Sequence, residues 1–154
     1  MSPRREPWLW AILAAYLLAG ALFALRTPAW QAPDEPAHYN YVAQLVNGTL
    51  PVMEPGDYDQ AYLEAIVSSR FAPGTDPGRL TYEDWQPPLY YLLQAPVYAL
   101  TGGSLTAMRL LSVLLGAGVV ALVYLIVRRI WPDAVWAAAA AAAFVAFVPQ
   151  HLAI

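Results

Sequence analysis

Residues 8–25 (WLWAILAAYLLAGALFAL) carry no charged side chain. As a helix rising 1.5 Å per residue they extend about 27 Å, close to the thickness of a bilayer's hydrocarbon core. Lipid offers no partner for backbone N–H and C=O groups, so such a run must close its hydrogen bonds within itself, as a helix. The competing reading is a cleaved signal peptide, since Arg4 and Arg5 precede the run. A signal's apolar core is usually only about 7–15 residues, followed by a small-residue cleavage site. Arg26-Thr27-Pro28-Ala29-Trp30 is a poor match to that. A retained span is expected.

A second apolar run covers residues 105–127, and a third begins at residue 134 with an alanine-rich stretch. Gly116 and Gly118 are expected to let a neighbouring helix approach the second span closely. Arg109 lies about one turn inside that span, where it can snorkel outward or pair with a loop acid. Arg4 and Arg5 flank the spans on one side, as do Arg128 and Arg129. The positive-inside rule therefore assigns residues 1–7 and the turn 128–133 to the cytoplasm. Residues 26–104 then form an external loop, periplasmic or extracellular. The expected fold class is all-α: a polytopic membrane protein with two complete transmembrane helices (8–25 and 105–127) plus a truncated third (134–154). Its external loop carries short interfacial helices. The third run lacks a basic flank, an interfacial anchor and a tail, so the sequence reads as a fragment of a longer protein.

Composition supports this. Hydrophobic residues make up 59% and charged ones 12%, about half the charged share of a typical soluble chain. The formal net charge is −3, which excludes nucleic acid as an expected partner. All eight basic residues are arginine, and cysteine is absent, so neither a disulfide framework nor a thiolate metal site is available.

The loop holds most of the acids and is rich in proline and tyrosine. At its start stands Pro33-Asp34-Glu35-Pro36-Ala37-His38. Asp34 is expected to N-cap a helix whose first turn holds Glu35 and Pro36 and which stops at Asn47-Gly48. On that helix Asp34, Glu35 and His38 share a face, a spacing compatible with a divalent metal, although three ligands from one short helix rarely close a site. A second helix is expected over 59–70, with Tyr62 and Ile66 on one face. Pro87-Pro88 should open a third, kinked at Pro96. Asp57, Asp59 and Glu64 lack the glycine and further oxygens of a calcium loop. Asn47-Gly48-Thr49 matches a glycosylation sequon, but a helix C-cap accounts for it. His151 either lines a cavity of a larger bundle or ends the third span.

Three features in this order resemble the N-terminal part of the polytopic GT-C-fold glycosyltransferases that use polyprenyl-phosphate sugars, a superfamily including protein O-mannosyltransferases and aminoarabinose transferases. They are the Asp34-Glu35 pair after the first span, Gln86-Pro87-Pro88-Leu89-Tyr90-Tyr91 late in the loop, and Arg109-Leu110-Leu111-Ser112 opening the second span. The resemblance implies sugar transfer from a lipid-linked donor to an acceptor outside the membrane. It implies Asp34 as general base, with Glu35 second. His38, Gln86, Tyr90 and Arg109 are the expected substrate- or phosphate-binding residues, Arg109 supplying the cation. Gln86 stands where many members carry His, and glutamine cannot relay a proton as imidazole does. The rival readings are a non-enzymatic multi-pass membrane protein or scaffold, and an inactive gene fragment. A transporter is disfavoured, because Arg109 is the ionisable residue inside a span and sits near its end.

Overall fold

The structure is a computed structural model and describes residues 6–149. Arg4, Arg5, His151 and the last residues of the expected third span lie outside the described residues. Among those described, the chain is all-helical: α1 (Pro7–Arg26), α2 (Glu35–Val46), α3 (Gln60–Ser68), a 3-10 turn (Pro77–Arg79), α4 (Leu89–Thr101), α5 (Leu105–Ile130) and α6 (Val135–Phe147). It divides into two compact units. One holds the residues up to Arg26 and from Arg109 onward; the other is Thr27–Met108.

In the first unit α1 and α5 are each long and apolar enough to cross a membrane. Trp10, Leu18 and Phe23 of α1 and Leu114, Leu122 and Ile126 of α5 are exposed. So large an apolar surface is costly in water but suits lipid. The buried side chains are Tyr16, Val113, Val120, Tyr124 and the alanines at 138, 142 and 146. That four-residue alanine spacing gives α6 one smooth face, along which helix backbones pack closely. The close glycine contact falls on α1, where a Cβ on Gly20 would meet Val113 Cγ1 at 2.8 Å. Of the two glycines expected to serve that purpose on α5, Gly116 is buried, whereas Gly118 lies on an exposed side and faces open space. Glu6 ties the helix ends together. It accepts from the Tyr124 hydroxyl at 2.6 Å and from Arg128 at 3.2 Å. Arg128 also donates to the Pro132 carbonyl. Helix α6 ends at Phe147, and Val148 is extended, as a residue before proline prefers.

The second unit is built on α2 packed against α4. Tyr41, Val42, Tyr91 and Met108 form its core, flanked by Tyr39, Leu45, Ala95 and Tyr98. Helix α2 ends at Asn47 with Gly48 at φ 83°, the expected stop. The Asp59 carboxylate caps α3, accepting from the Tyr62 amide at 3.0 Å. Helix α4 continues through Pro96 to a left-handed Gly102. At Gly103 (φ 76°) a Cβ would meet the Tyr39 hydroxyl at 2.5 Å, and that hydroxyl donates to the Gly103 carbonyl. Asn40 reaches out of α2 to the carbonyls of Pro77 and Leu80 at 2.7 and 2.9 Å, fixing the 3-10 turn against α2.

Candidate functional site

The two adjacent acids behave differently. Asp34 takes the N-cap position but with φ 56° and ψ 7°, and its carboxylate makes no capping bond. A capping residue needs extended backbone angles to aim its side chain at the first-turn amides. The left-handed conformation, which Asp tolerates better than most residues, turns it elsewhere. The exposed carboxylate instead accepts from the Tyr82 hydroxyl at 2.9 Å. This corrects the expectation of a side-chain N-cap. Glu35 is buried, and its Oε2 accepts from the Trp30 amide at 2.7 Å. That bond closes the turn between α1 and α2, in which Trp30 is also left-handed, φ 67°.

Asp34 stands at the wall of a cavity of about 280 Å³, lined among others by Trp30, Leu63, Phe71, Leu80 and Tyr82. Four described non-glycine residues have positive φ: Trp30, Asp34, Arg70 and Phe71. Three of them line this cavity. Left-handed geometry costs an L-residue on the order of 1–2 kcal/mol, and such strain clusters at functional sites. Gln31 ties the two strained turns together by donating to the Arg70 carbonyl at 3.2 Å. Burial, then the bond to Asp34, push the Tyr82 phenol well above its usual range.

His38 points to a second cluster. Its Nδ1 lies 2.8 Å from the Tyr91 hydroxyl, and Tyr91 stacks on Tyr41 with centroids 3.7 Å apart. The Tyr41 hydroxyl donates to the Gln86 carbonyl at 3.0 Å. The acid-bearing helix and the Gln86-Pro87-Pro88-Leu89-Tyr90-Tyr91 segment, far apart in sequence, are therefore brought together. The Gln86 side chain donates to Glu83 at 2.8 Å. Tyr90 accepts from Gln94 at 2.9 Å and meets the Tyr91 ring edge-on. Burial raises the Tyr91 phenol well above its usual range, helped by the Glu83 charge. Tyr39 is pushed up to about 12, first by burial and then by Tyr98.

Asp34, Glu35 and His38 thus point to three different partners. Among the described residues no three acids or histidines are grouped to hold a metal ion. Arg109, in the first unit, is buried, and its Nη1 donates to the Ala24 carbonyl at 3.2 Å. Its charge meets the carbonyl-rich end of α1, where a cation is favoured. Sequence reasoning named Tyr91 only within the Gln86–Tyr91 segment, without a role, and did not name Tyr82. Tyr91 had a legible signal: Tyr91, Gln94 and Tyr98 fall at helical spacing on one face of α4. Tyr82 comes from a loop and had none.

Two of the described helices are long and apolar enough to cross a membrane, which supports a membrane protein. Residues 85–154, just under half of the chain, match the family model described as dolichyl-phosphate-mannose-protein mannosyltransferase. The match takes in Gln86, Tyr90, Tyr91 and Arg109 and leaves Asp34, Glu35 and His38 outside it. No curated protein and no solved structure matches the chain.

Proposed function

We propose that this protein transfers a sugar from a polyprenyl-phosphate donor to an acceptor hydroxyl on the outer face of the cell membrane, with Asp34 as general base. The observation that carries the base assignment is an exposed carboxylate fixed by one hydroxyl at the wall of a strained aromatic cavity. In the step proposed, the acceptor oxygen attacks the anomeric carbon. The bond from that carbon to the phosphate oxygen breaks, its electron pair leaving with polyprenyl phosphate. The hydroxyl proton passes to Asp34. General-base catalysis of this kind contributes about 10²–10⁴-fold.

Glu35 is a positioning residue in this reading: it is buried and holds the Trp30 amide, so it shapes the turn that presents Asp34. The leaving phosphate needs a cation, and a guanidinium matches phosphate geometry; Arg109 is the residue proposed for it. His38, Gln86 and Tyr90 are the further substrate- or phosphate-binding residues proposed; His38 contacts Tyr91, and the Gln86 carbonyl accepts from Tyr41, which holds α2 against the Gln86–Tyr91 segment. No step is routed through a metal. The positive-inside rule supports an external loop unit.

The test is Asp34→Asn in the membrane-embedded protein, assayed for transfer from a radiolabelled polyprenyl-phosphate sugar. The expected result is a loss of 10²-fold or more in kcat, with expression and membrane insertion unchanged. Undiminished transfer removes Asp34 as the base.

A further inference from the structure

We infer that the cavity beside Asp34 binds the acceptor and that the acceptor's reacting group belongs to a pyranose ring. The inference rests on the proposed base role of Asp34 and adds the substrate class.

Three features of the lining carry it. The first is size. At about 280 Å³ the cavity lies at the lower edge of the roughly 300–1,000 Å³ usual for small-molecule sites, enough for one ring and too little for an extended segment. The second is charge. None of the lining residues is basic, so nothing there would hold the donor's phosphate, and the cavity falls to the acceptor. The third is the pairing of aromatic walls with an available carboxylate oxygen. Trp30, Phe71 and Tyr82 supply rings. An aromatic face is electron-rich and attracts the polarised C–H groups on one side of a pyranose. Each sugar hydroxyl can donate a hydrogen bond. Asp34 Oδ1 is taken by Tyr82; its other oxygen faces no donor among the described residues and is the atom a ring hydroxyl would reach.

A peptide hydroxyl fits less well. Extended peptides are held by rows of main-chain hydrogen bonds. Two main-chain-facing donors here are already engaged: the Trp30 amide serves Glu35, and the Gln31 Nε2 serves the Arg70 carbonyl. The strain at Trp30, Asp34 and Phe71 keeps ring, carboxylate and ring turned to one space.

The experiment uses the membrane-embedded protein in lipid nanodiscs. Methyl α-mannopyranoside, methyl β-galactopyranoside and a blocked Ser/Thr hexapeptide serve as probes, followed by saturation-transfer NMR and as acceptors in the transfer assay. At least one glycoside is expected to receive saturation on its ring protons. Phe71→Leu and Trp30→Leu, which keep apolar bulk and remove a ring, should each weaken glycoside binding about 5–10-fold. Either variant may be judged by binding alone, so a fall in turnover from misfolding does not confuse the outcome. Asp34→Asn should change glycoside binding less than about threefold while stopping transfer. Use of the peptide with neither glycoside bound overturns the inference and leaves the glycosyltransferase reading standing. Glycoside binding indifferent to both ring removals also overturns it. Glycoside binding with full transfer by Asp34→Asn keeps the sugar pocket and removes the base.

Discussion

Replacing Tyr82 with Phe removes one hydroxyl and leaves the ring that lines the cavity. That hydroxyl donates to Asp34 Oδ1 at 2.9 Å from a residue 48 positions away. A hydrogen bond to a charged group contributes roughly 1.5–3 kcal/mol when shielded. Asp34 is exposed, so water replaces part of the loss, and about 1 kcal/mol is the appropriate scale. At pH 7 the expected loss is about fivefold in kcat, from a base less well aimed, with donor KM unchanged. The assay is transfer from a polyprenyl-phosphate sugar at pH 7, with Tyr58→Phe as control. Tyr58 meets the Tyr82 ring edge-on at 6.0 Å but has no bond to Asp34. A wild-type kcat refutes the coupling of Tyr82 to the base. An equal fall in kcat with Tyr58→Phe makes Tyr82 a purely structural support.

Gly103→Ala places a methyl 2.5 Å from the Tyr39 hydroxyl at φ 76° and should destabilise the loop unit by about 2 kcal/mol, read as a lower thermal midpoint; an unchanged midpoint means the Gly103 turn relaxes freely. Tyr91→Phe removes the partner of His38 Nδ1 and should cost about 1 kcal/mol, visible as faster amide exchange in α2 and α4. Burial raises the Asp84 carboxyl above its ordinary 3.8, against the Gln44 bond that lowers it. A raised acid binds more protons folded than unfolded, so stability from Asp84 is greatest at low pH and falls as pH rises through the window above 3.8. Asp84→Asn should flatten that fall in a pH series of thermal midpoints; a midpoint with the wild-type pH dependence contradicts the assignment.

The helices were legible because their signals are local. Apolar runs of membrane-crossing length marked α1 and α5, Asp59 capped α3 as its residue type suggests, and Asn47-Gly48 ended α2. Where the reading failed, a contact distant in sequence decided. The close helix approach sits at Gly20 because Val113 faces it; no pattern around Gly118 could say that its side of α5 is open. Residue spacing put Asp34, Glu35 and His38 on one helical face. That spacing assumed Asp34 to be in register with the helix, and its left-handed backbone breaks the register.

The same break explains how two neighbouring carboxylates serve unlike ends. Glu35 is the first helical residue. Its side chain folds back over the turn, is buried and takes the Trp30 amide. A buried backbone donor left unmet costs about 1–3 kcal/mol, comparable with the strain of the left-handed Trp30 that Glu35 holds in place. Asp34, one residue earlier and left-handed itself, is swung away from the first-turn amides that would otherwise engage it. Held instead by one phenol with one oxygen left over, it leaves that oxygen open to the acceptor hydroxyl in the reaction proposed for it. An extended backbone at position 34 would aim the carboxylate at the first-turn amides and close that oxygen off.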